Sequence, residues 1–175
     1  MGAPDQRGND LWVDWDQYHR LIEQLVVRVH QSGWKFDQIL CLARGGMRVG
    51  DVFSRIFNLP LATLATSSYR EDAGTKQGSL AIAPFVTMAS GTLTGRILIV
   101  DDLVDSGQTF DLIRAHLLRT YPCITELRSA VLWYKAHSVV APDYYVQKLD
   151  DNPWVHQPFE AYDGMEVGDL VKKWS

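Results

Sequence analysis

Three carboxylates stand close together in the stretch ILIVDDLVDSGQT, residues 97–109. Asp101 and Asp102 follow four branched apolar residues, Asp105 comes three positions later, and Ser106, Gly107, Gln108 and Thr109 close the run. A turn that opens a helix offers amides without internal partners, and the helix dipole favours an anion there, so residues 106–109 read as a phosphate cradle. Gly107 lets the backbone approach the phosphate, and the hydroxyls of Ser106 and Thr109 add donors. The paired carboxylates cannot hold that same phosphate, because like charges repel. They suit the vicinal hydroxyls of a sugar, or a magnesium ion attached to them. A ribose 5-phosphate satisfies both halves.

Taken alone, an Asp-Asp pair after a strand is usually a polar strand end, and Ser or Asp before a helix is usually a cap. A phospho-acceptor receiver domain also places an acidic pair after a strand. That rival sets its acceptor on a different strand and needs no phosphate turn behind the pair. The whole string of apolar run, Asp-Asp, spacer, Asp, small-residue turn and helix is far more specific than its pieces.

The surrounding chain supplies the elements that such a site needs. Residues 15–31 carry Tyr18, Leu21, Ile22, Leu25, Val26 and Val29 at helical spacing behind Asp14 or Asp16 as cap, and Gly33 ends this amphipathic helix. An apolar strand over 38–43, a glycine turn, a helix over 47–57 and a second strand over 61–66 follow. After a polar loop, a strand over 96–100 feeds a helix over about 109–119, and a fourth strand spans 126–134. Strands that alternate with helices and are apolar on both faces predict a parallel sheet covered on both sides, with ligands at the carboxyl ends of the strands.

Bulk properties exclude other classes. The chain of 175 residues, 46% hydrophobic, is about one domain long. A net charge of −4 argues against a protein that coats nucleic acid or an anionic membrane surface. Only Cys41 and Cys123 are present, outside any metal or disulfide spacing, which suits a reducing cytoplasm. No apolar run reaches a membrane span, and residues 1–11 read as a disordered leader.

With these elements in place, ILIVDDLVDSGQT resembles the phosphoribosyl pyrophosphate (PRPP) motif of the type I phosphoribosyltransferases. Further anchors follow in that family's order: VDWD at 13–16, ARGG at 43–46, SSY at 67–69, Lys135 after the fourth strand, and PWVHQP at 153–158. Together they resemble bacterial and archaeal xanthine-guanine and hypoxanthine phosphoribosyltransferases over about residues 12–159, leaving 160–175 as a tail without assigned role. The resemblance implies an α/β fold: a parallel twisted sheet with helices on both faces, Rossmann-like, plus a small C-terminal hood. It also implies transfer of ribose 5-phosphate from PRPP to a 6-oxopurine with magnesium, releasing pyrophosphate, by a homo-oligomer (dimer or tetramer).

Residue roles implied by the resemblance agree with their chemistry. Asp101 and Asp102 hold the ribose hydroxyls, Asp102 also serving the magnesium ion, and residues 105–109 clamp the 5-phosphate. Asp105 lies near N7 of the purine as candidate general base. Arg44 and Gly45 meet pyrophosphate, a loop that in related enzymes often carries a strained peptide. Ser68 and Tyr69 reach pyrophosphate from a mobile loop over 67–78 that excludes water. Lys135 donates to the six-position carbonyl, Trp154 stacks on the base, and backbone carbonyls near Val155 and His156 accept from the two-position group. Residues 157–159 shape the pocket, and the five histidines show no catalytic pairing. The segment 80–95 is more apolar than the resemblance implies. Two alternatives remain: a non-catalytic PRPP- or nucleotide-binding regulator of the same fold, and a transferase for another base.

Overall fold

A computed structural model describes residues 5–7, 10–68 and 80–175. Its first long element is α1 (Trp15–Gln31), started by a capping box in which Asp14 Oδ1 accepts from the Gln17 amide at 2.7 Å and Gln17 Oε1 from the Asp14 amide at 3.0 Å. Its buried stripe is Tyr18, Leu21, Ile22, Leu25, Val26 and Val29, the stripe read from the sequence. Then come β3 (Gln38–Ala43), α2 (Met47–Phe57), β4 (Leu61–Ser68), β7 (Gly95–Val104), α3 (Gln108–Thr120), β8 (Ile124–Lys135) and β9 (Tyr144–Leu149). The order β4-β3-β7-β8-β9 runs parallel throughout.

Alternation along β7 divides the core. Leu98 and Val100 pack with α1 and α2 on one face, and Ile97 and Ile99 pack with Phe110, Ile113 and Leu117 of α3 on the other. Both faces are therefore covered, the arrangement that apolar parallel strands require. Among the described residues, no helix is long and apolar enough to cross a membrane.

Three expectations are corrected, and the segment 80–95, left without a structure by its sequence, gains one. The strand expected over 96–100 continues to Val104, because β8 is long enough to pair with it through Tyr134; Asp101 and Asp102 thus lie on the strand and not beyond its end. The leader is not wholly disordered: β1 (Asp5–Arg7) pairs with β2 (Asp10–Trp12), and β2 pairs in parallel with β10 (Val155–His156). Leu11 is buried in that small sheet, so the hood is built from both ends of the chain. The segment 80–95 contributes β5 (Leu80–Ile82) and β6 (Thr87–Met88), both antiparallel to β4, which covers the sheet's open edge. Lastly, residues 160–163 belong to the site region and not to a separate tail: a short 3-10 helix (Pro158–Tyr162) borders the central cavity, and α4 (Val167–Trp174) beyond it leaves Val167, Leu170, Val171 and Trp174 exposed.

Candidate active site

The carboxyl ends of β3 and β7 open into a cavity of about 570 Å³, bordered among others by Arg44, Gly45, Arg48, Asp101, Asp102 and Thr109. Asp101 and Asp102 are half-buried, and Asp101 Oδ1 accepts from the Asp102 amide at 2.9 Å. Burial pushes both carboxyls above the usual range, and the negative charge of Asp102 pushes Asp101 well above it. A hydrogen bond from Gln157 pulls Asp102 partly back: Gln157 Nε2 donates to Asp102 Oδ2 at 2.6 Å.

The turn after β3 is shaped by its neighbours. The Ala43–Arg44 peptide is cis. Gly45 lies so close to the acidic pair that a Cβ there would stand 2.5 Å from Asp102 Oδ1. Only glycine lets this backbone reach the carboxylate.

The phosphate turn has similar constraints. Gly107 caps α3 with φ +83°, a conformation that side chains resist, and a Cβ would also meet Ser138 Oγ and lie 2.8 Å from the Val140 amide. Val139 donates to the Ser106 carbonyl at 3.0 Å, so the loop after β8 braces the turn. Thr109 reaches the cavity, whereas Ser106 and Gln108 are exposed.

Asp105 is 60% exposed and is held from two sides, by Lys135 Nζ at 3.4 Å from Oδ2 and by His137 Nε2 at 3.0 Å from Oδ1. The structure thus joins the expected base to the expected purine donor, 30 residues apart in the chain. It also overturns the reading that no histidine is paired at the site. Neither Asp105 nor Lys135 borders the central cavity; they form a second cluster just beyond it along the 101–105 segment.

The hood is less convergent than its motif implied. Trp154 is 49% exposed and stands 6.4 Å from the His156 ring, outside the cavity lining. The Trp154 and His156 carbonyls accept from Leu11 and Val13 in the β2–β10 pairing. Strand alternation turns the carbonyl of buried Val155 the other way, out of that pairing. His156 itself stacks on Trp12 with centroids 3.8 Å apart and lies 3.1 Å from Asp10 Oδ2.

Ser68 ends β4 with its backbone paired to Leu80, which brings the two ends of the long loop together. Tyr69, and with it the lid reading over most of 67–78, lies outside the described residues.

One cavity residue escaped sequence reasoning, and a second was seen without its contact. Arg48, in the first turn of α2, lies 4.3 Å over the Phe159 ring and 5.4 Å from that of Trp15, which places a cation beside the anion-binding turn. Its position in the first turn of the helix that follows the Gly45 turn was an available signal. Gln157 was seen only as shaping the pocket; nothing local announces its bond to a residue 55 positions away.

Comparison with known proteins places the chain in a family and a fold. A family profile described as the phosphoribosyl transferase domain matches residues 14–163. A xanthine-guanine phosphoribosyltransferase from Gluconobacter oxydans is 30% identical over 150 residues, 85% of this chain and 83% of that protein. Among solved structures, a purine phosphoribosyltransferase from Pyrococcus horikoshii superposes with a TM-score of 0.71 at 27% identity, covering 87% of this chain and 95% of its own. The xanthine-guanine-hypoxanthine phosphoribosyltransferase of Helicobacter pylori shares the fold, with a TM-score of 0.70 at 22% identity over 92% of this chain and 97% of its own.

Proposed function

The chain belongs to the phosphoribosyl transferase domain family, and from that premise we propose how its residues carry a PRPP-dependent transfer to purines. The enzyme is a pentosyltransferase: it moves ribose 5-phosphate from PRPP to a 6-oxopurine and releases pyrophosphate, a purine-salvage reaction. The observation that carries the assignment of roles is the adjacency of two unlike clusters. An acidic pair with Arg44, Gly45 and Thr109 borders one cavity, and Asp105 with Lys135 stands next to it.

In this reading Asp101 and Asp102 bind the ribose hydroxyls, and Thr109 with the amides at the start of α3 takes the 5-phosphate. Arg44, Arg48 and the Gly45 backbone receive pyrophosphate, with Ser68 and Tyr69 closing from the loop. Positive charge develops on the ribose as the bond to pyrophosphate lengthens, and the Asp101–Asp102 pair faces it. Asp105 accepts the proton from the purine's imidazole ring, while Lys135 donates to the six-position oxygen. Val155 accepts from the two-position group and Trp154 covers the base.

Magnesium binds through one or two carboxylates together with substrate phosphates and keeps several waters. The residues present fit that pattern. Asp101 and Asp102 border the cavity, Asp102 is held by a neutral amide, and the described residues contain no group of three or more His, Cys, Asp or Glu to cage an ion without substrate. When bound with PRPP, the ion supplies positive charge that stabilises departing pyrophosphate. The family resemblance further implies a homo-oligomer, dimer or tetramer. The two free cysteines, Cys41 and Cys123, suit a cytoplasmic setting.

Substrate choice is tested at Lys135. Its ammonium rejects adenine, whose six-amino group offers it no acceptor. A hydrogen bond to a charged donor contributes about 1.5–3 kcal/mol, so Lys135→Met should cut kcat/KM for the preferred 6-oxopurine by about 10- to 150-fold. Preference over adenine should shrink by a similar factor. Unchanged selectivity in a folded, active variant would remove Lys135 from base recognition.

A further inference from the structure

The amide of Gln157 faces the acidic pair in a way that packing alone does not require. Gln157 is 7% exposed, follows the last hood strand β10, and borders the same cavity as Asp102 and Gly45. Its Nε2 donates to Asp102 Oδ2 at 2.6 Å, while Oε1 is buried with no protein partner among the described residues. The orientation of the amide follows from chemistry: an ionised carboxylate only accepts, so the nitrogen must face Asp102 and the oxygen must face away. A buried carbonyl oxygen without a donor costs free energy, so the bond to Asp102 holds the amide in this orientation against that cost.

We propose that Gln157 is a positioning residue for PRPP: it fixes the Asp102 carboxylate through Nε2, so that Asp102 stands ready for the ribose side of the bound substrate. This inference rests on the reading of the cavity as a PRPP site.

Three features support the assignment. The whole Asp102 carboxylate lies against the Gly45 backbone, where a Cβ would stand 2.5 Å from Oδ1 and 2.8 Å from Oδ2, and the bond from Gln157 to Oδ2 sets its rotation. Glutamine is neutral and thus holds the carboxylate without cancelling the charge that a magnesium ion would need; a lysine or arginine there would compete with the ion. The residue also ties the hood to the floor of the site, since β10 is joined to β2 and Asp102 lies on β7. A donor that orients a ligand-binding carboxylate is commonly worth 10- to 100-fold in metal affinity or activity.

The test uses the full chain with Gln157→Met, which keeps length and volume but removes both polar atoms, and Gln157→Glu, which keeps shape but removes the donor. Circular dichroism and thermal melting should show both variants folded. The expected result is a loss of about 10- to 100-fold in kcat/KM for PRPP, with a matching weakening of magnesium-dependent PRPP binding by calorimetry and KM for the purine within about two-fold of wild type. A residue that only packs predicts a wild-type Met variant, and that result overturns the inference. Equal losses in PRPP and purine KM would also overturn it, because they would mean general damage to the hood. If the wild type binds PRPP but transfers nothing, the catalytic reading fails while the binding arm still judges Gln157. Absence of PRPP binding in the wild type overturns both.

Discussion

Asp105→Asn is expected to lose about 10²- to 10⁴-fold in kcat while its Kd for PRPP stays within a few-fold of wild type. The separation follows from geometry. The groups assigned to PRPP, Asp101, Asp102, Arg44 and Thr109, border the central cavity, whereas Asp105 lies beyond it with Lys135 and His137. Asparagine is nearly isosteric and its one carbonyl oxygen still accepts from Lys135, while its amide nitrogen replaces the oxygen that faces His137. What it cannot do is take a proton from the base. The side chain is exposed, so stability should change little. Single-turnover kinetics with PRPP calorimetry on the same variant checks the split. A variant with wild-type kcat would reduce Asp105 to a surface ion-pair partner.

Asp102→Asn should have the opposite profile in stability and an even larger effect on function. Both acidic side chains carry raised carboxyl pKa values in the folded chain, from burial first and, for Asp101, from the neighbouring negative charge. A raised folded value means that ionisation is disfavoured by folding. The penalty is absent below the unfolded value of about 3.8 and grows as pH rises through the folded value. Replacing Asp102 by a neutral amide removes one buried charge and relieves Asp101 as well. The variant should therefore melt higher than wild type without PRPP and in the presence of a chelator, and the gap should widen from pH 4 to pH 8. For a chain of this length each kcal/mol gained corresponds to about 2–4 °C. Transfer activity should be nearly abolished, because a ribose- and ion-binding carboxylate is gone. A variant that melts lower at pH 8 would show that Asp102 serves folding and not ligand binding. This exchange of stability for function is common where like charges are held together for chemistry.

The parts of this site that were legible in the sequence are those set by local rules. The α1 stripe has a clean 3.6-residue period, and β3 and α2 are separated by a glycine turn, so their bounds follow from residues within a few positions. The PRPP string is local for the same reason: strand, acidic pair and helix cap are contiguous. The failures are all long-range. β7 runs past Val100 because β8 supplies a partner, which no pattern in 101–104 reveals. Residues 10 and 11 read as the end of a leader until β10 arrives from the other end of the chain to pair with Leu11 and Trp12. His137, Arg48 and Gln157 act through neighbours that folding brings near, and the polar character of each fits a solvated surface equally well when read alone.

The central claim is transfer of ribose 5-phosphate to a 6-oxopurine, and pyrophosphate release tests it most directly. The protein would be incubated with magnesium and PRPP, and with guanine, xanthine, hypoxanthine, adenine or uracil in separate reactions. Release with one or more of the three 6-oxopurines, and none with adenine or uracil, is the predicted result. Magnesium-dependent PRPP binding with no pyrophosphate from any base would contradict it and assign the chain to PRPP sensing instead.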